Sequence, residues 1–130
     1  MNLSALTSIP GVHQAAVADD SGRLLDLVGE IDPPSSAVLV LGHATLAAAA
    51  ELGRRSGAGD CIEIVQRHEG GCVYLHSLPH RRVLMVRCGD GSAISAVRAV
   101  VESISHYDEP EPSRCGAFDV SYAMHAEPAW

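Results

Sequence analysis

The chain has 130 residues and a net charge of −7, from 9 basic and 16 acidic residues. A chain of this length forms one domain that buries about two thirds of the surface of its unfolded state. An acidic chain without a basic cluster argues against binding to nucleic acid or to anionic membranes.

The N-terminus has neither a basic start nor a long apolar run, so we expect no signal peptide and a cytoplasmic location. No segment reaches about 18 uninterrupted apolar residues, and we therefore expect no membrane insertion. The cysteines form no Cys-x-x-Cys pair, which indicates reduced thiols. A hairpin centred on His80 would place Cys72 opposite Cys88, so a cross-strand disulfide is the alternative there. The four cysteines are Cys61, Cys72, Cys88 and Cys115.

The first part of the chain predicts a short helix followed by a hairpin. Residues 2–9 carry apolar side chains at helical spacing. Pro10 and Gly11 then end that helix and permit a sharp turn. Strands are predicted over 12–18 and 23–28, and the turn between them contains a glycine.

Residues 35–56 predict the longest helix, because prolines precede this stretch, a serine can cap it and a glycine follows it. Its polar side chains share one narrow arc, whereas the opposite arc, roughly 200° wide, is apolar or small. A helix packed on a single core needs a stripe nearer ~100°. One apolar face contains Leu41 and Leu52, and the other contains Leu39 and Leu46. We expect one face to cover a sheet and the other to bind a second copy, although the residues alone do not assign them. The alternatives are a helix deeply buried in a monomer and a helix that is rich in alanine merely for helix propensity.

Three further strands and a helix complete the predicted domain. The strands span 61–67, 72–78 and 82–88, and the last is apolar on both faces, as in a central strand. Residues 92–106 predict a helix with one apolar stripe. We therefore expect an α/β (α+β) fold in which helices cover both faces of a mostly antiparallel sheet.

Residues 107–130 differ in composition from the domain predicted at 1–106. The run 108–112 is an acidic linker that contains two prolines. Residues 118–124 alternate apolar with polar or small side chains, which predicts a strand that docks on an exposed sheet edge of this chain or its partner. A solvated tail is the alternative.

Several short motifs occur in a fixed order along the domain. They are Ile9-Pro10-Gly11-Val12, Asp20-Ser21-Gly22, Glu51-Leu52-Gly53-Arg54-Arg55, Gly57-x-Gly59, Glu69-Gly70-Gly71 and Leu78-Pro79. In this order and spacing they resemble the Roadblock / dynein-light-chain domain of the bacterial type, over about residues 2–106. The last helix departs from the family, because Ala93-Ile94-Ser95 stands where Asn-Leu-Gly is frequent.

This resemblance implies a profilin-like sheet of five strands in the order 2-1-5-4-3. The long second helix would lie on one face of the sheet and the other two helices on the opposite face. It also implies a homodimer in which the second helices pack together and the third strands pair edge to edge. We expect the interface to contain Leu39, Gly42, Leu46, Ala49, Ala50, Gly53, Ile62 and Ile64.

Most members of this family bind small Ras-like GTPases, so the resemblance implies a non-catalytic regulator or scaffold that can stimulate GTP hydrolysis. Arg54 and Arg55 are the arginines to test for such stimulation, although favourable charges near a helix C-terminus explain them more simply. The alternative function is a small-molecule or signalling sensor, or an assembly domain, without a GTPase partner. The expected GTPase contacts are His43, Ala47, Glu51, Arg54 and Arg55.

The sequence contains no motif for a cofactor, a metal or a catalytic nucleophile. The seven histidines show no spacing typical of a zinc site. Ser92 lies outside any Gly-x-Ser-x-Gly elbow and fits a helix cap. The run 89–91 lacks the spacing and the lysine of a phosphate loop. We therefore expect no cofactor, no metal and no enzymatic activity.

Overall fold

The structure, a computed structural model, describes residues 2–30 and 32–107. Each element predicted from the sequence within these ranges is present within two residues of its expected bounds. The predicted linker and strand fall in 108–130, outside the described residues. The strands are β1 Val12–Ala18, β2 Leu24–Gly29, β3 Glu63–His68, β4 Gly71–Leu78 and β5 Arg82–Cys88; the helices are α1 Ser4–Thr7, α2 Ser36–Arg55 and α3 Ile94–Tyr107, and a 3-10 turn at Gly91–Ala93 precedes α3.

The five strands form one sheet in the order β2-β1-β5-β4-β3, and every neighbouring pair is antiparallel. This order confirms the one implied by the family resemblance. Val83, Leu84, Met85 and Val86 of the central strand β5 are all buried, as the two-sided apolar pattern predicted. The two edge strands are β2 and β3.

Helices cover both faces of the sheet, so the core has two layers. On one face, Leu6 of α1 and Val97 of α3 pack with Tyr74 of β4. On the other face, Leu39 and Leu46 of α2 pack with apolar residues of β4 and β5. The two-sided burial of β5 follows directly from this arrangement.

Both ends of α2 are fixed by short-range hydrogen bonds. The Ser35 hydroxyl oxygen accepts from the Val38 amide at 3.2 Å, which caps the first turn. At the other end, the Gly53 carbonyl accepts from the amides of Ala58 at 2.7 Å and Gly59 at 3.0 Å. A Cβ at Gly53 would overlap the Gly59 carbonyl oxygen, so only glycine allows this close return of the chain.

A buried glutamine anchors the segment that leads into α2. Apart from the hydroxyl of Tyr74, Gln14 has the one buried polar side chain among the described residues, thiols aside. Its Nε2 donates to the Asp32 carbonyl at 2.7 Å, and its Oε1 lies 3.5 Å from Nη1 of Arg87. The same guanidinium lies 3.3 Å from Oε1 of Glu30. Because buried amides need hydrogen-bond partners, Gln14 holds this segment against the sheet.

Cys72 of β4 and Cys88 of β5 are directly opposite each other, as expected for a hairpin centred on His80. Both are buried free thiols. Burial, reinforced by the neighbouring Cys72, raises the pKa of the Cys88 thiol. A protonated buried thiol is a poor nucleophile, so these two cysteines act as small core residues.

Candidate partner-binding surface

The side of α2 that faces away from the sheet is apolar and exposed to solvent. Leu41 is 64% exposed and Leu52 is 70% exposed. Three exposed alanines, Ala37, Ala44 and Ala48, lie on the same side, because they are three, four or seven positions from Leu41. A contiguous apolar stripe of this kind on a monomer marks a surface that a partner covers. We call this stripe the outer face of α2.

The structure reassigns several residues that the sequence analysis placed at the dimer interface. Leu39 and Leu46 are buried against the chain's own sheet. Gly42 is also buried there, and a Cβ at this position would lie 2.6 Å from Cε of Met85. Gly53 contacts the Gly59 carbonyl within the same chain. Periodicity identified the two apolar faces of α2 and left their assignment open; the expected interface included Leu39 and Leu46, which the structure places on the sheet side. Ala49 and Ala50 are half-buried.

The edge strand β3 adds a second exposed surface. Ile62, immediately before β3, is 68% exposed, whereas Ile64 is half-buried and packs on the α2 side of the sheet. The outer edge of β3 presents backbone N–H and C=O groups that another strand can pair with. Ile62 and Ile64 therefore stay predicted interface residues.

The polar arc of α2 is organised by one carboxylate. Glu51 accepts from Nη2 of Arg54 at 2.7 Å and from Nε of Arg55 at 2.6 Å. These hydrogen bonds, that of Arg55 first, lower the pKa of Glu51. Arg54 also lies 3.5 Å from Oδ1 of Asp60. Both guanidinium groups are held along the helix, so the arc fits a contact surface better than an arginine finger, which reaches outward.

A cleft of about 220 Å³ lies between the polar arc and the β4–β5 turn. Three of the predicted GTPase contacts, His43, Ala47 and Arg54, line one wall. Arg81 and Arg82 line the opposite wall. These two arginines were not among the predicted contacts, because the turn is distant from α2 along the chain. The only signal was their adjacency in a chain with few basic residues.

The β4–β5 turn is strained. His80 has φ 65° and Arg81 has φ 60°, so two consecutive residues other than glycine adopt the left-handed conformation. This conformation costs roughly 1–2 kcal/mol per residue. Nη1 of Arg81 pairs with Oδ2 of Asp20 at 3.1 Å, which ties the turn to the β1–β2 turn. Two consecutive left-handed residues are the geometry of the turns that join antiparallel strands, and the ion pair with Asp20 holds the arginine wall of the cleft in place.

A hydrogen-bonded cluster on the opposite face of the sheet joins α3 to the edge strand. The buried Tyr74 hydroxyl donates to Oε1 of Glu63 at 2.7 Å and lies 3.0 Å from Nδ1 of His76. Arg98 of α3 donates to Oε2 of Glu63 at 2.7 Å. The Arg98 hydrogen bond lowers the pKa of Glu63, and burial lowers the pKa of His76. Because these polar groups satisfy one another, the cluster is structural.

No protein-family model matches the chain, and no curated protein matches it. Solved structures do match. A Roadblock/LC7 domain from Streptomyces avermitilis superposes with a TM-score of 0.70 and 16% sequence identity, over 81% of this chain and 88% of that chain. The chain has the Roadblock-like fold.

Other solved structures share this Roadblock-like fold. MglB from Myxococcus xanthus has a TM-score of 0.69 at 18% identity, over 78% of this chain and 84% of that chain. The gliding protein MglB from Thermus thermophilus has a TM-score of 0.67 at 20% identity, over 79% of each chain. An MglB with a tetrameric arrangement has a TM-score of 0.58 at 20% identity, over 66% of each chain. At these identities the likeness establishes the fold alone.

The clefts of the Roadblock-like domain are small for a ligand pocket. A second cleft of about 230 Å³, lined in part by His13, His68 and Arg87, lies near the β3–β4 turn. Both volumes are below the ~300–1,000 Å³ of typical small-molecule sites. Within the described ranges, no three His, Cys, Asp or Glu side chains are placed to hold a metal ion. The exposed apolar side chains of the outer face of α2 are the feature that favours contact with a macromolecule.

In the described part of the Roadblock-like domain, α2 alone is long and apolar enough to cross a membrane. This is weak support for insertion, since core helices of soluble proteins pass the same test. Leu39 and Leu46 pack on the sheet, and two arginines stand in the last turn. The absence of membrane insertion stays a prediction.

Proposed function

We propose that this Roadblock-like domain forms a homodimer that binds a small Ras-like GTPase and acts as its regulator or scaffold. The observation that carries the proposal is the exposed outer face of α2. Two of the similar structures are a gliding protein, MglB from Thermus thermophilus, and an MglB with a tetrameric arrangement. This likeness supports a role in assembly. The GTPase as partner follows from the family resemblance of the sequence.

The outer face of α2 has the composition of a helix–helix interface. Leu41 is 64% and Leu52 is 70% exposed, so full burial of each side chain would contribute about 1–2 kcal/mol. Ala44 and Ala48, both exposed, let a second helix approach closely between them. A two-fold axis across this face would also bring the β3 edges of two copies near each other, where Ile62 adds apolar area.

The proposed dimer leaves the polar arc of α2 accessible beside the helix pair. His43, Ala47 and the Glu51 carboxylate with its two arginines form a mixed polar and small surface. Two-fold symmetry doubles this surface and creates a contact area wider than one chain offers. We place the GTPase there.

Self-association is tested with the double variant Leu41→Glu/Leu52→Glu. We expect the parent chain to sediment as a dimer and the double variant as a monomer, because four carboxylates would be buried at the seam. The matched control is Leu25→Glu, since Leu25 is exposed on β2, at the other sheet edge. A parent chain that sediments as a monomer, or a double variant that stays dimeric, contradicts the proposed dimer.

Stimulation of GTP hydrolysis by the dimer is tested separately from binding of the GTPase. If saturating dimer leaves the rate of GTP turnover unchanged while the complex forms, the role is that of a scaffold. If Arg54→Ala or Arg55→Ala removes a stimulation seen with the parent chain, that arginine contributes to hydrolysis directly or by positioning the GTPase's own residues.

A further inference from the structure

The cleft between α2 and the β4–β5 turn gathers positive charge on an acidic chain. Of the 9 basic residues, Arg54, Arg81 and Arg82 line this cleft, and Asp60 is the one carboxylate among its lining residues. Within the described residues, Arg82 makes no ion pair. Arg54 already pairs with Glu51 and Asp60, and Arg81 pairs with Asp20. The attraction of the cleft for groups of opposite sign therefore comes chiefly from Arg82 and from the excess of arginines over the single lining carboxylate. The cleft therefore fits a segment that carries carboxylates.

The chain contains such a segment directly after α3. Residues 108–130 hold five acidic residues and one arginine, a net charge of −4. When extended, 23 residues span up to ~75 Å, whereas a domain of this size has a radius of gyration of about 13 Å. The segment can thus reach the cleft, although α2 and α3 cover opposite faces of the sheet. The charged residues are Asp108, Glu109, Glu111, Arg114, Asp119 and Glu127.

We propose that the cleft binds the acidic segment 108–130 of its own chain. Carboxylates of the segment pair with the arginines of the cleft, and the ion pair between Arg81 and Asp20 fixes the turn beside which Arg82 lies. The tether gives the segment an effective concentration in the millimolar range, so individually weak surface ion pairs suffice.

The bound segment covers part of the surface that we assign to the GTPase. His43, Ala47 and Arg54 belong both to the polar arc and to the lining of the cleft. The segment therefore competes with the GTPase and lowers the apparent affinity of the domain for it. The contact between segment and cleft does not itself depend on the GTPase.

Alkylation of Cys61 reports on the occupied cleft. Cys61 lines the cleft and is half-buried, whereas Cys72 and Cys88 are buried. In the full chain with Cys115→Ser, Cys61 is then the reactive thiol among the described cysteines. We compare the rate of its modification by iodoacetamide, a neutral reagent, with that in a five-fold amide variant of the segment. The amide variant carries Asp108→Asn, Glu109→Gln, Glu111→Gln, Asp119→Asn and Glu127→Gln.

We expect the amide variant to react about fivefold faster, because the segment no longer holds to the cleft. The parent chain should approach that rate in about 1 M NaCl, which screens exposed ion pairs. Arg82→Glu should give the same increase. The matched controls, Glu69→Gln and Arg67→Glu near the β3–β4 turn, should leave the rate unchanged.

An unchanged rate in both the amide variant and Arg82→Glu overturns the proposal, as does an equal increase in the controls. A second experiment adds a tenfold excess of a Cys61→Ser chain, which has an intact segment, to the amide variant. The added chain should not slow the alkylation of Cys61 in the amide variant. Slower alkylation would show that a second copy supplies the segment and would overturn the intrachain contact. The amide variant should also bind the GTPase more tightly. If no GTPase binds at all, the proposed function fails, while the alkylation rates still test whether the segment binds the cleft.

Discussion

Tyr74 has the largest fully buried side chain among the described residues. Its hydroxyl is part of a cluster that links β3, β4 and α3. Glu63 of β3 accepts its hydrogen bond, His76 lies beside it on β4, and Arg98 of α3 binds the far oxygen of the same carboxylate. Burial, and secondly the Glu63 hydrogen bond, raise the pKa of Tyr74 above its usual value, so the hydroxyl stays a donor. A satisfied cluster of this kind stabilises the edge strand that we expect to meet a second copy.

His76 gives this cluster a pH dependence. Burial lowers its folded-state pKa below the ordinary 6.5, against the opposing effects of Glu63 and Glu102. At a pH between the folded-state and unfolded-state pKa values of His76, the unfolded chain binds more protons than the folded chain. The contribution of His76 to stability is therefore fully present above pH ~6.5 and is lost as the pH falls from there towards the folded-state pKa. We expect the free energy of unfolding in urea to be lower at pH ~5.5 than at pH ~7.5. In His76→Gln, this loss should be smaller.

The control for this measurement is His68→Gln, because His68 is exposed on the edge strand and its ring contacts the Gln66 side chain there. That variant should keep the pH dependence of the parent chain. If His76→Gln loses as much stability between the two pH values as the parent does, the dependence belongs to other groups.

At the scale of elements, α2 shows what periodicity can predict and what it cannot. The width of the apolar arc predicted two buried faces, and the structure shows one face buried and the other exposed. The spacing of Leu39, Leu41, Leu46 and Leu52 is the same whichever side the sheet lies on. The orientation depends on Leu75 and Met85, which come from strands later in the chain, so the assignment could not be made from α2 alone.

The strands were predictable because their signals are local, whereas the cleft and the Tyr74 cluster depend on distant pairs. The turns at glycines and prolines bound each strand, and alternation shows its faces. Glu63 and Arg98, by contrast, are separated by 35 positions. Nothing in either local sequence indicates their contact. The same holds for Arg54 and the two arginines of the β4–β5 turn.

The end of α2 allows a direct test of the close return of the chain at Gly53. We expect Gly53→Ala to lower the free energy of unfolding by about 1–3 kcal/mol, because the added Cβ overlaps the Gly59 carbonyl oxygen. The clash outweighs the gain of up to ~1 kcal/mol that alanine brings to a helix interior. Thermal unfolding followed by circular dichroism measures the change.

Gly70→Ala is the matched control for Gly53→Ala. A Cβ at Gly70 meets no atom within 4 Å, and its backbone is not in the left-handed region. The midpoint temperature of thermal unfolding of Gly70→Ala should stay within about a degree or two of that of the parent chain. A Gly53→Ala variant as stable as the control would contradict the packing described for the chain after α2.

At the scale of the whole molecule, the two faces of the sheet differ in what they leave exposed. The face under α1 and α3 is closed by apolar packing and by the Tyr74 cluster. The face under α2 carries an exposed apolar stripe, a polar arc and a basic cleft on one helix and its surroundings. We therefore propose that partners bind on the α2 side, where self-association and GTPase binding would occupy neighbouring areas.

We expect the full chain to bind a small Ras-like GTPase from the same genome. Titration calorimetry with the purified GTPase, loaded once with GDP and once with a non-hydrolysable GTP analogue, tests this binding most directly. We expect one nucleotide state to bind at least about tenfold more tightly, a difference of about 1.4 kcal/mol. Ala47→Glu in the polar arc should weaken that complex, whereas Leu25→Glu on β2 should not. The absence of binding in both nucleotide states would contradict the account.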